Sequence, residues 1–136
     1  MYKGVKTMKI FKGRLLRLGT VDKCGRMWSK DCKITFPKKV QVAYDFNIDP
    51  EFPYGVADIT QDDDGLNCNV TPIDPVSLPG DEYFVGGYYD KVKTHFEDSI
   101  EIIDSCHLVG MSVIPENSVA DEQLKIKSEE IEDEMP

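Results

Sequence analysis

Between residues 54 and 70 the chain has the marks of a β-hairpin. Leu66, Cys68 and Val70 face one way along an extended chain, while Asn67 and Asn69 face the other. A period of two excludes a helix, whose apolar positions recur every three to four residues. The partner run is Tyr54-Gly-Val-Ala-Asp-Ile-Thr60, and Gln61-Asp-Asp-Asp-Gly65 lies between the two. Asp64-Gly65 suits a tight turn. The three consecutive Asp residues invite a calcium reading, but the loop lacks the alternating ligands and distal Glu of an EF-hand. Turn chemistry accounts for them.

Other segments read the same way. Met8 to Leu18 is strand-like, with Gly13 as a place for a bulge or bend, and Asp22-Lys-Cys-Gly25 is a turn signal. Arg26 to Ile34 is ambiguous between a short helical turn and a loop. Val40-Gln-Val-Ala-Tyr44 is a β-branched strand, entered through Pro37 and left through Asn47-Ile-Asp49-Pro50. Thr71 to Gly80 carries three prolines and reads as a loop or an edge. Tyr83 to Tyr89, Ser99 to Asp104 and Cys106 to Ile114 complete the strand set. The pattern predicts a mainly β (β-rich α+β) domain: a small barrel or sandwich of about six to eight short strands. One or two short helices are expected, around residues 28–33 or 118–125. The domain division is an arm over residues 1–7, one domain over 8–120, and an acidic tail over 121–136. Alone, that tail should be disordered or a frayed helix; if ordered, it should press against a partner.

At 136 residues one domain can bury a core without staples. No run approaches the roughly 18 apolar residues of a membrane span, and no apolar signal segment follows the first lysines. The expectation is a soluble protein, not membrane-bound, that stays where it is made. Cys24, Cys32, Cys68 and Cys106 form no Cys-x-x-Cys pair, and neither His95 nor His107 stands at a finger-like offset from one. They read as free thiols, with no metal or cofactor implied. Charge divides sharply. Residues 1–39 hold twelve Lys or Arg against Asp22 and Asp31, whereas residues 40–136 hold four lysines against twenty-three acids. Solvated lysines explain the first third; docking on an acidic surface is the sharper alternative. The acidic remainder disfavours direct duplex binding, which depends on phosphate contacts.

The order of motifs resembles the caudovirus prohead-protease family, head-maturation enzymes with the herpesvirus-assemblin fold. Lys12-Gly-Arg-Leu-Leu16 with Asp22-Lys-Cys-Gly-Arg26 is similar to the opening of that family. Val40-Gln-Val-Ala-Tyr-Asp-Phe-Asn47 resembles its histidine strand, and Gly55-Val-Ala57 with Asp64-Gly-Leu66 its hairpin. Val85-Gly-Gly-Tyr88 resembles the serine strand, and Leu108 to Asn117 the closing segment. The likeness covers residues 9–118 and implies a protease-like scaffold.

The catalytic parts do not carry over. The histidine position falls at Asp45 or Phe46, and the serine position at Val85. Neither Asp nor Phe replaces a neutral imidazole as proton acceptor, and Val offers no nucleophilic atom. Ser112 and His107 are five residues apart and point to opposite faces of a strand. Ser105 and His107 share a face but lie two strand steps apart. His107 reads as a partly buried, hydrogen-bonded residue and His95 as a loop residue. Phe84, Tyr88 and Tyr89 read as barrel core and rim rather than as a base-stacking platform. Trp28 reads equally as core packing or an interface anchor.

No catalytic, cofactor or metal residue is therefore assigned. The resemblance implies a non-enzymatic phage virion protein, an auxiliary or decoration (cement) protein on the capsid surface, present in the host cytoplasm during assembly. Its expected partners are the major capsid protein or other head proteins, and a homo-oligomer. The alternatives are an active maturation serine protease with His107 or His95 as base, and a small nucleic-acid-associated or host-takeover β protein.

Overall fold

The computed structural model describes residues 5–45, 53–74, 77–115, 119 and 121–134, the side chains of 5–8 and 131–134 excepted. Eight strands make up the described fold: β1 (Val5–Arg17), β2 (Arg26–Thr35), β3 (Lys39–Tyr44), β4 (Gly55–Asp62), β5 (Gly65–Pro72), β6 (Glu82–Glu97), β7 (Ile100–Ile114) and β8 (Lys125–Glu134). They hydrogen-bond in the order β2-β7-β3-β4-β5-β1-β8-β6, and β6 returns to β7. Seven strands thus close a β-barrel, and β2 lies outside the ring against β7. Closure satisfies the backbone groups that an open sheet would leave at its edges.

β7 organises the barrel. Its 15 residues pair antiparallel with β6 along one edge. The other edge is shared: Glu101 to His107 pairs parallel with β2, and Met111 to Val113 pairs parallel with β3. The second half of β7 is enclosed by that arrangement, and Leu108, Met111, Ser112 and Val113 are all within 1% of complete burial. Phe11, Leu66, Val70 and Ile126 meet them from the other walls. Each such side chain contributes about 1.5–3 kcal/mol of burial free energy.

The β4–β5 hairpin forms as its alternation predicts, with Ile59 opposite Cys68 and Ala57 opposite Val70. Asp62 is the turn's internal cap. Its carboxylate accepts the N–H groups of Asp64 and Gly65 at 2.9 and 3.0 Å, the Asn67 amide at 2.8 Å and the Arg14 guanidinium at 2.8 Å. Gly65 has φ +149, and a Cβ there would stand 1.8 Å from the Leu16 carbonyl oxygen, so only glycine fits.

Two readings of the sequence are corrected. Among the described residues there is no helix: residues 28–33 lie in β2, and residues 121–124 are turn and coil leading into β8. Pairing with β7 supplies Arg26 to Trp28 and Lys33 to Thr35 with partners that no local pattern announces. The acidic tail is not a frayed segment either. Residues 126–134 pair antiparallel with Val5 to Gly13, setting Lys6 opposite Asp133 and Lys9 opposite Glu130, while Lys12 reaches Glu129 at 3.4 Å. The basic first strand and the acidic last strand meet in the same molecule, where opposite charges across a ladder are favourable.

Candidate functional site

β3, β7 and β6 bring two of the sequence-singled positions into one neighbourhood. Asp45 ends β3 in a left-handed conformation (φ 49), and its N–H donates to the Val113 carbonyl at 2.7 Å. Val113 in turn stands opposite Val85 on β6. The two positions flank one strand, about 10 Å apart by the spacing of neighbouring strands. Val85 is 2% exposed in the core and Asp45 is exposed. Phe46 lies outside the described residues. Among the described residues, neither position holds an imidazole or a hydroxyl.

The imidazoles stand elsewhere. His107 is half-buried on β7, and its Nδ1 lies 2.7 Å from the Thr35 hydroxyl on β2, directly opposite it. On its other side His107 faces Asp90 of β6 in register. The neighbours Cys106 and Leu108 are buried, so alternation puts His107 on the outer face of the barrel. This Thr35–His107 contact was not legible in sequence, since 72 residues separate the two. Ser112 is fully buried and donates to the Val113 carbonyl at 2.9 Å.

His95 is not a loop residue: it lies in β6. Its Nδ1 is 2.6 Å from the Asp104 carboxylate and its Nε2 3.3 Å from Glu97. Those hydrogen bonds, Asp104 first, raise its pKa above the ordinary histidine value.

A cavity of about 480 Å³ opens near these strands, where β6 parts from β8. The two strands pair only from Glu82 to Phe84. Beyond them Trp28, Tyr89, Val85, Leu15 and Leu16 form the wall, and Arg17, Asp22, Arg26 and Glu101 stand at the rim. Trp28 and Tyr89 pack with ring centres 5.3 Å apart, and the Arg26 guanidinium lies 5.9 Å from the Trp28 ring. Trp28 is thus half-buried against the core cluster. Its buried indole N–H turns toward the Cys106 sulfur, a weak acceptor, without completing a full hydrogen bond.

Cys32 and Cys106 are neighbours behind that wall. Burial pushes the Cys32 thiol up to about 12, helped by Cys106, and raises Cys106 as well. Burial also takes Cys68 up to about 12. Thiols held this far into the protonated form are poor nucleophiles near neutral pH. The cavity offers apolar and aromatic walls with charged residues at its rim. Comparison with family models, curated proteins and solved structures yields no significant match.

Proposed function

We propose that this chain is a non-enzymatic structural protein of a phage virion, an auxiliary protein attached to the capsid surface. The observation that carries the reading is Val85. Where the resemblance places an attacking serine, the chain has a 2%-exposed aliphatic residue set in the core. Acyl transfer needs a nucleophile, a base and oxyanion donors in mutual reach. The position named for the nucleophile offers no attacking atom, and the one described position named for the base carries a carboxylate in place of an imidazole. A closed barrel then serves as a rigid body that presents surfaces, and repetition over a capsid lattice multiplies weak contacts. The test is co-sedimentation of the purified protein with mature capsids, compared with naked heads. Saturable binding at a fixed copy number supports the proposal, and absence of binding ends it.

One observation favours a second reading, a maturation protease. Thr35 and His107 make a hydroxyl–imidazole contact of 2.7 Å. Neither residue lines the 480 Å³ cavity. Incubation with scaffold protein or denatured capsid protein separates the readings. Cleavage that disappears in His107→Ala supports the protease.

A further inference from the structure

We propose that the outer edge of β6 is a dimerisation edge, which pairs antiparallel with the same edge of a second copy of this chain about a two-fold axis at Thr94. The inference goes beyond the functional proposal and does not depend on it. β8 covers β6 only from Glu82 to Phe84, so among the described residues no strand lies along the remaining edge opposite β7. On this arm Val92 is 45% exposed and Phe96 68%, the highest value among the exposed large hydrophobic residues.

The charges along this edge are unevenly placed. After Asp90 come Lys91 and Lys93, and Glu97 and Asp98 follow at the hairpin tip, where Glu97 and Asp104 clasp His95 at 3.3 and 2.6 Å. A parallel copy would set like against like. An antiparallel copy centred on Thr94 sets Lys91 opposite Glu97 and Lys93 opposite His95 with its two carboxylates. On the other face it sets Val92 opposite Phe96. Each contact occurs twice by symmetry, as an isologous interface requires. The left-handed Lys91 (φ 52) is the last residue of the pairing stretch, which leaves Asp90 and Asp98, the like charges this register would set opposite each other, beyond the ladder. A strand edge supplies the main-chain hydrogen bonds, and side-chain order fixes the register.

The experiment is sedimentation equilibrium of the full chain from about 10 to 500 micromolar, the range for an interface at the small end of the size scale. A monomer–dimer equilibrium is expected, weakened by added salt. Phe96→Asp should abolish it. Lys91→Glu and Glu97→Lys should each raise the dissociation constant about tenfold, and the double reversal should restore it. In a Cys24→Ser background, Thr94→Cys should give a covalent dimer under mild oxidation, since symmetric partners across the axis lie within disulfide reach. A monomer at every concentration overturns the proposal. So does a dimer indifferent to both charge reversals and not cross-linked through position 94. Edge variants that impair capsid attachment while the chain stays monomeric would assign the edge to a different partner, and would equally overturn it.

Discussion

Arg17 and Asp121, 104 residues apart, meet in a two-point contact: the guanidinium donates from Nε and Nη2 to the two carboxylate oxygens at 2.8 and 3.0 Å. The Asp121 side chain is only 11% exposed, so the pair is partly desolvated and its geometry is the strong bidentate form. The contact ties the end of β1 to the turn that leads into β8. A double-mutant cycle of Arg17→Ala and Asp121→Ala in urea should give a coupling of about 1 kcal/mol. Additive effects would show that the two side chains do not support each other.

β8 is a wall of the barrel and not an appendage. Ile126 is fully buried in the core between β1 and β6. Ile126→Ala should lower unfolding stability by about 2–4 kcal/mol. A chain ending at Leu124 should lose cooperative unfolding altogether, read by circular dichroism on heating. A truncated chain that unfolds at the same temperature would contradict the assignment.

His95 makes stability depend on pH. Its folded pKa is raised by Asp104 and then Glu97. The charged form is favoured in the folded state, so the contribution is complete below the unfolded value, about 6.5. It is lost as pH rises through the folded value. Denaturation midpoints of the parent and of His95→Gln, relative to each other, should differ more at pH 5.5 than at pH 9. Asp62 runs the other way. Its pKa is lowered by Arg14 first and then Asn67, so its contribution holds above the unfolded carboxylate value and fades as pH falls.

Two glycines separate strain from collision. Gly25 has φ +78 and nothing within 4 Å of a Cβ added there, so Gly25→Ala should cost only the left-handed penalty, about 1 kcal/mol. Gly65→Ala adds a clash with the Leu16 carbonyl and must displace β1 from β5. Its cost should exceed about 3 kcal/mol. Equal losses in thermal unfolding would refute the predicted contact.

Val85→Ser tests whether a serine alone restores chemistry. The hydroxyl would be buried among apolar side chains. The variant should be destabilised by about 1–3 kcal/mol and should release no product from fluorogenic peptide substrates. Turnover by this variant would show that a base is within reach of position 85.

The sequence carried the β character and the β4–β5 hairpin because those signals are local. Alternation at Leu66, Cys68 and Val70 reports which face is buried, and Gly65 reports a conformation that other residues avoid. The β6–β7 hairpin was missed for the opposite reason. Its turn residues, Asp98 and Ser99, both take positive φ (50 and 68) without the Asn-Gly or Asp-Gly signal, so the two strands read as shorter pieces. The candidate site was legible only in part. The residues at positions 45 and 85 could be read directly, but the Thr35–His107 contact and the cavity beside Trp28 depend on β2 lying against β7.

What the amino-acid order determined by itself was a chain of short extended segments, polarised in charge. The tertiary structure decided that β1 and β8 would neutralise each other's charge, that β7 would take three neighbours, and that β6 would keep an edge unpaired among the described residues. Pairings between distant segments draw their energy from many residues on both partners and leave no local period to read. Closure of the barrel is the sum of such pairings.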